Sequence, residues 1–393
     1  MKDDIRQFTL ASRVARINPF YVMKLLARAR ELESQGRSIV HMEIGEPDFI
    51  TPKPVLDAAK NAIDAGKVHY TPALGLPELR QAISDYYKDQ FQLHIPAKRI
   101  VITPGASGGL LLVMGLLVNT GQKVIMTDPG YPCNKHFAEF VNANAKLIPV
   151  TVETNFQLTA ELLAEHWEPD VSVVMIASPS NPTGSIIAEH DLVDIARFVD
   201  SKGANLVVDE IYQSLCYETE VTSILSHSNN AFVINSFSKY FTMTGWRLGW
   251  IVAPDDNAII EGLDNLSQNL FLAAPTIAQY AALEAFKPET LNLLEQNRLE
   301  FQSRRDYLYG ALKDIGFKIA TQPEGAFYIY ADCSQFSIDS EAFCFELLEQ
   351  AGVAITPGID FGDFKARQHV RFAYTTSMKN LKQGITRLKK YLL

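Results

Sequence analysis

The sequence predicts an α/β protein. A large domain carries a mostly parallel seven-stranded sheet covered by helices, beside a smaller α+β domain. Three observations predict it. Seven short runs rich in β-branched residues alternate with helical patterns between residues 100 and 253. Those runs are continuously apolar, as strands buried on both faces must be. After residue 254 the strand–helix–strand rhythm stops.

The elements follow in chain order. Thr51-Pro52 predicts a helix start, with Thr51 as N-cap, Pro52 at the first helical position, and Gly66 ending the helix in a left-handed conformation. Val55, Ala59, Ala62 and Ile63 form its apolar stripe. A second helix is expected from Pro77, with Leu79, Ile83 and Tyr86 on one face. The expected strands are 100–103, 123–128, 146–150, 171–178, 205–210, 231–236 and 248–253. Helical patterns at 108–119, 134–143 and 189–202 lie between them. A long helical region at 255–315 leads to strands at 317–319, 325–332, 353–356 and 369–374, a helix at 340–351 and a closing helix from Met378. The expected division is 1–50 as an N-terminal arm and part of the small domain, 51–290 as the large domain, and 291–393 as the small C-terminal domain. The boundary then falls inside a long helix, without a flexible linker.

At 393 residues the chain is long enough for two or three lobes with cores of their own. The net charge of −9, without basic clusters, gives no electrostatic footprint for nucleic acid or an anionic membrane. Cys133, Cys216, Cys333 and Cys344 form no C-x-x-C pair, and the eight histidines no H-x-x-x-H pair, so no metal role is assigned. The N-terminus has no apolar signal core, and the longest apolar stretch, 110–118, is too short to span a bilayer. A cytoplasmic setting is the expectation.

In a parallel sheet, ligands collect beyond the carboxyl ends of the strands. Asp209 ends one apolar run, where a partly desolvated carboxylate calls for a cation. Ser236, Ser238 and Lys239 follow another strand end, with Arg247 eight residues later, and Asn181 lies in the turn after a third. Singly, each has a plain structural reading as cap, solvated loop or turn. Jointly they supply what a pyridoxal cofactor requires: an amine for its aldehyde, an anion for its pyridinium nitrogen, and donors for its phosphate and ring oxygen.

With these segments in view, the chain resembles the class I/II aminotransferases, fold-type I pyridoxal-phosphate enzymes of the aspartate aminotransferase superfamily. The resemblance runs through IGEPDF (44–49), YTPALGLPELR (70–80), ITPGASGGL (102–110), DPGYP (128–132), SPSNPTG (178–184), VVDEIYQ (207–213), SFSKYFTMTGWRLGW (236–250) and VRFAY (370–374). It implies that Lys239 forms the internal Schiff base and moves the proton at the substrate Cα. It implies that Asp209 pairs with the pyridine nitrogen, that Tyr212 and Asn181 donate to the ring oxygen, and that Tyr131 stacks on the ring. Phosphate would be held by Arg247, Ser236, Ser238 and the backbone N–H groups of Ala106 and Ser107 at a helix start. Arg371, with Asn181 and the backbone of Gly45, would grip the substrate carboxylate. Tyr70 would reach the phosphate of the neighbouring subunit, which implies a homodimer.

The function the resemblance implies is transfer of an amino group from an L-amino acid to a 2-oxo acid by a ping-pong mechanism. A β-lyase (C–S lyase) on the same fold is the runner-up. No extra basic residue appears in the helix after Gly105 or in 269–279, so neutral or aromatic donors are favoured over dicarboxylic ones, with 2-oxoglutarate or pyruvate as acceptor. Phe20 and Tyr21 are candidates for lining the pocket, with packing between lobes as the alternative. A competing motif is G-x-S-x-G at 105–109, which with Asp209 and His369 has the chain order of a serine hydrolase using Ser107. That reading leaves Lys239 and Arg247 without a task. A non-enzymatic sensor role joined to DNA binding is opposed by the acidic charge.

Overall fold

The strands of the central sheet lie in the order Ile100–Thr103, Gly249–Val252, Phe232–Ser236, Asn205–Asp209, Val171–Ala177, Lys123–Asp128, Asn144–Pro149. Gly249–Val252 runs antiparallel to both neighbours and every other pairing is parallel. The computed structural model describes residues 9–17, 19–219 and 221–393.

Alternate residues of each strand point to opposite faces, and here they feed two separate apolar clusters. Ile102, Val174, Val208 and Trp250 face one cluster; Val101, Val173, Val207 and Ile251 face the other. Helices Lys53–Asp64, Pro77–Phe91 and Glu189–Ser201 cover the first face, Gly105–Leu117 and Asn257–Leu270 the second. Burial on both faces explains why the strands read as unbroken apolar runs rather than alternating ones.

A third cluster forms a second core from both ends of the chain. Leu25 and Leu32 of helix Tyr21–Ser34 pack with Phe301, Leu308, Phe372 and Leu388. Its sheets are small: Thr356–Pro357, His369–Ala373 and Tyr328–Asp332 run antiparallel, while Val40–His41 pairs in parallel with Val353–Ala354. The N-terminal segment thus completes a C-terminal sheet. Helix Pro288–Ile315, 28 residues long, gives Leu294 to the first core and Phe301 to the second. We propose the division 1–50, 51–290 and 291–393 on this footing, its last boundary lying within that helix.

Several local expectations need correction. Thr51 does not cap the first helix of the large domain, which begins at Lys53 with Pro52 as the capping residue. The Thr51 hydroxyl instead donates to the Thr242 carbonyl at 2.8 Å and accepts from Trp246 at 3.1 Å. Ile63 is exposed, off the buried stripe, although Gly66 does adopt a left-handed φ of +69°. The region 255–315 is not one helix, because Pro275 and Pro288 restart the chain as Thr276–Ala282 and Pro288–Ile315. Residues 317–319 form only an isolated bridge, Lys318 to Asp332. The run 353–356 is divided between two sheets. The helix from Ser340 ends in a π-helical turn, Leu347–Ala351.

Candidate active site

A cavity of ≈ 250 Å³ opens where three central strands end, with Ala177, Asp209 and Ser236 in its wall. Gly45, Tyr328 and Arg371 close it from the second core. Of the residues the resemblance assigns to cofactor or substrate, all but Tyr70 line this one space.

Lys239 follows the Ser236 strand end and donates from Nζ to the Gly45 carbonyl at 2.7 Å. A side chain at Gly45 would collide with Tyr328, whose hydroxyl lies 1.8 Å from the position of a Cβ. Only glycine fits the backbone here beside Tyr328. The Lys239 ammonium also lies 5.7 Å from the Tyr212 ring centroid and 5.6 Å from that of Phe327.

Asp209 is buried, and its side chain accepts one hydrogen bond, from the Ile211 N–H at 3.1 Å. Burial pushes its carboxyl up to about 7, with Lys239 pulling the other way. Such a carboxylate is under-compensated and suited to a cationic ligand. Glu210 points to the opposite face, where Ser223 and the Ile224 N–H hold it.

The anion cup is built from backbone and short side chains. Helix Gly105–Leu117 starts without a side-chain cap and without an acid in its first turn, so its positive end is free for an anion. Gly105 has φ +73°, and a Cβ there would come within 2.5 Å of the Arg247 guanidinium. Ser236 donates to Ser238 at 3.0 Å, and Arg247 lies 3.5 Å from the Ser238 hydroxyl. Arg247 is itself held in a left-handed conformation, φ +54°, and tied to the Thr244 carbonyl at 3.0 Å.

Arg371 is buried on strand His369–Ala373. Its Nη1 donates to Asn181 Oδ1 at 3.0 Å; its Nη2 donates to the Glu43 carbonyl and to Thr356 at 3.3 Å. The guanidinium carbon lies 4.3 Å from the Tyr328 ring centroid and 4.7 Å from that of Phe361. Its Nε has no partner, and no carboxylate lies in ion-pair contact with it among the described residues. A buried cation in this state is arranged for an incoming anion.

Tyr212 meets Tyr328 hydroxyl to hydroxyl at 2.9 Å, and burial holds the Tyr212 phenol well above its usual range. Tyr131 packs edge-on to Phe20, 6.4 Å between centroids. Phe20 lines the cavity, while Tyr21 instead gives its backbone N–H to Asp360 at 2.9 Å. Tyr70 is 81% exposed, away from the cavity.

Residues that the sequence did not mark are Tyr328, Phe361, Asp360, Thr356 and the Glu43 carbonyl. Tyr328 stood in an expected strand, but its face is readable only once the partner strand is known. The serine-hydrolase alternative is not assembled. Ser107 lines this cavity, whereas His369 lies in another, stacked on Tyr330 with its Nδ1 bonded to the Lys365 carbonyl.

The donor set fits pyridoxal phosphate. It contains an accessible amine, a buried carboxylate with no ion-pair partner among the described residues, and a cup whose floor a Cβ at Gly105 would obstruct. Comparison with known proteins agrees. The family model for aminotransferase class I and II matches residues 37–388. A (5-formylfuran-3-yl)methyl phosphate transaminase of Methanocaldococcus jannaschii is 38% identical over 98% of this chain and 99% of its own length. A valine–pyruvate aminotransferase of Mycobacterium tuberculosis is 37% identical over 96% of this chain and 97% of its own. The crystal structure of an aminotransferase from Mycobacterium tuberculosis superposes with a TM-score of 0.95 at 36% identity, covering 98% of this chain and 99% of that one. A cavity drawn from three strand ends, a matching family model and near-complete structural overlap lead to one conclusion: this chain belongs to the class I and II aminotransferases and is a pyridoxal-phosphate-dependent transaminase.

Proposed function

We propose that the enzyme moves the amino group of an L-amino acid, neutral or aromatic by preference, to a 2-oxo acid in ping-pong fashion, donor and acceptor occupying the cavity in turn. The observation that carries this reading is Arg371: a buried guanidinium whose Nε has no partner among the described residues, in the same cavity as the Lys239 amine. One carboxylate site beside one amine suits any α-amino or 2-oxo acid.

When bound, pyridoxal phosphate supplies an electron sink for charge developing at the substrate Cα. The chain's own groups do the rest. Lys239 anchors the cofactor's aldehyde and carries the proton to and from Cα. Asp209 keeps a proton on the ring nitrogen, and its buried setting makes that pairing strong. Tyr212 and Asn181 donate to the ring oxygen, and Tyr131 covers the ring. Arg247, Ser236, Ser238 and the amides of Ala106 and Ser107 hold the phosphate. Arg371, Asn181 and Gly45 orient the substrate carboxylate. The exposure of Tyr70 suits a residue that completes the phosphate site of a partner subunit in a homodimer.

The preference for neutral or aromatic donors rests on the cavity wall. Phe20, Met23, Ile44, Leu110, Ile211 and Phe361 present apolar surface, and the lining cations, Lys239, Arg247 and Arg371, all have tasks. Similar relatives are named for valine and pyruvate and for aspartate, so the preference stands on the apolar lining alone. The four free cysteines fit the expected cytoplasmic setting.

The test is a panel of amino donors with pyruvate or 2-oxoglutarate, measuring the 2-oxo acid formed. Branched or aromatic donors turning over fastest is the expected result. Exclusive use of aspartate and glutamate overturns the substrate preference. Release of ammonia without an acceptor replaces transfer by lyase chemistry.

A further inference from the structure

A second cavity, ≈ 550 Å³, lies on another side of the molecule and shares no lining residue with the catalytic one. Its volume is in the range of small-molecule sites. One wall is the segment 150–156, just beyond the central strand Asn144–Pro149; the others are 316–320 and 364–369 of the second core.

Its aromatic surface is ordered. The rings of Tyr330 and His369 stack at 4.7 Å with an interplanar angle of 6°. Phe156 stands edge-on to both, at 6.1 and 6.5 Å. Asn155 and Phe156 each adopt a positive φ, +52° and +55°, a conformation uncommon for phenylalanine. The His369 Nδ1 donates to the Lys365 carbonyl at 3.0 Å. Because a carbonyl only accepts, that nitrogen carries the proton and Nε2 remains free of hydrogen bonds among the described residues.

The charges lie around this surface. Lys313, Lys318 and Lys365 line the cavity and are exposed. Among the described residues none of the three is in ion-pair contact with a carboxylate; Lys365 lies over Phe364 and Lys313 over Tyr309. Two carboxylates share the space, Glu153 and Asp332, and each already accepts a local bond, from Thr151 and from the Ser334 N–H. The lining therefore has one net positive charge.

The two cavities are kept apart by aromatic packing. Tyr330 pairs in register with Arg371 across the antiparallel strands, and Phe361 stands edge-on to Tyr330 at 6.2 Å while covering Arg371. An anion in the second cavity is thus separated from the catalytic guanidinium by two rings.

We propose that this cavity is a second ligand site, for a small planar aromatic anion whose ring lies against the Tyr330–His369–Phe156 surface and whose carboxylate meets the lysines. Neither the transaminase chemistry nor the cofactor uses these residues, so the proposal stands independently of the reading above.

The probe is 1-naphthoate, titrated calorimetrically into the holoenzyme, with 1-naphthylmethanol as its uncharged counterpart. One equivalent of naphthoate is expected to bind, and the alcohol to bind about threefold to fivefold more weakly, the scale of an exposed ion pair. Ala320→Trp, at an exposed position of the lining, fills the space and is expected to abolish binding. The double variant Lys318→Glu, Lys365→Glu weakens it without filling the space, and serves if the tryptophan variant fails to fold. Arg371→Lys is expected to leave it intact. Absence of binding overturns the proposal. So does equal binding of the alcohol, or loss of binding in Arg371→Lys with retention in Ala320→Trp, which assigns the naphthoate to the catalytic cavity.

Discussion

Arg371 donates to Asn181 at 3.0 Å, joining a strand of the second core to the turn beyond Val171–Ala177. The contact brings together two residues 190 positions apart and orients the fork of the guanidinium toward the cavity. The proposed substrate carboxylate site therefore belongs to neither core alone.

Arg371→Ala is expected to raise KM for both amino donor and oxo acid by about 10- to 100-fold, since hydrogen bonds to charged groups contribute about 1.5–3 kcal/mol. Arg371→Lys recovers little, because a point charge lacks the planar fork. Steady-state kinetics with both substrates checks this. An unchanged KM moves the carboxylate site elsewhere.

Lys239→Ala is expected to abolish turnover while cofactor is still retained noncovalently, since the anion cup of Arg247, Ser236 and Ser238 is untouched. Absorbance after dialysis, with and without borohydride treatment, distinguishes the two modes of attachment. Transamination at the wild-type rate in this variant contradicts the role of the amine.

Asp209→Asn is expected to lower kcat by about a thousandfold, the scale of removing one preorganised electrostatic partner. A twofold effect removes Asp209 from the ring-nitrogen position. The same residue affects stability in the cofactor-stripped protein. Its folded carboxyl is raised to about 7 by burial from an ordinary 3.8, so the folded state binds more protons between those values. Stability therefore falls as pH rises from about 4 to 7. Glu210, also raised to about 7 by burial, adds to the same slope. Melting temperatures from pH 5 to pH 8 should decline less steeply in Asp209→Asn than in the parent, and parallel curves count against the assignment.

Asp360 caps helix Tyr21–Ser34 from a distance, accepting from the Tyr21 and Val22 N–H groups at 2.9 and 3.3 Å. That helix has no cap from its own preceding residue, Phe20. Asp360→Ala is expected to cost about 1 kcal/mol, as loss of a cap does, and to loosen Phe20 and Met23 at the cavity wall. A lower urea midpoint, together with a raised KM for large donors, is the expected pair of results. Unaltered values for both leave the carboxylate without this role.

Ser107→Ala tests the hydrolase motif directly. The assigned contribution is a backbone N–H, which alanine keeps, so turnover should stay within about threefold, the scale of an exposed substitution. Loss of activity, or labelling of Ser107 by a fluorophosphonate, reinstates the serine as a nucleophile.

Much of this was legible in the sequence because strand ends and helix starts are local events. The run Asn205–Asp209 announces both its strand and the carboxylate at its end, and Gly105 announces a helix start with open amides. Thr51 shows the limit of such reading. Its hydroxyl had a tertiary partner, the Thr242 carbonyl, that outcompeted the local cap. Residues 353–356 show another limit, since a run of β-branched residues does not say which sheet each half joins.

By itself, then, the sequence determined the two-part α/β plan, the motif order and the candidate side chains Lys239, Asp209, Arg247 and Arg371, which the fold gathers in one cavity. Tertiary structure alone decided that Tyr328, Phe361 and Asp360 surround them, and that His369 stands in a different cavity from Ser107. The reason is that a residue's type and its place along a strand are written locally. Which face it shows, and what meets it there, depends on strands paired across hundreds of positions, and no local pattern records that pairing.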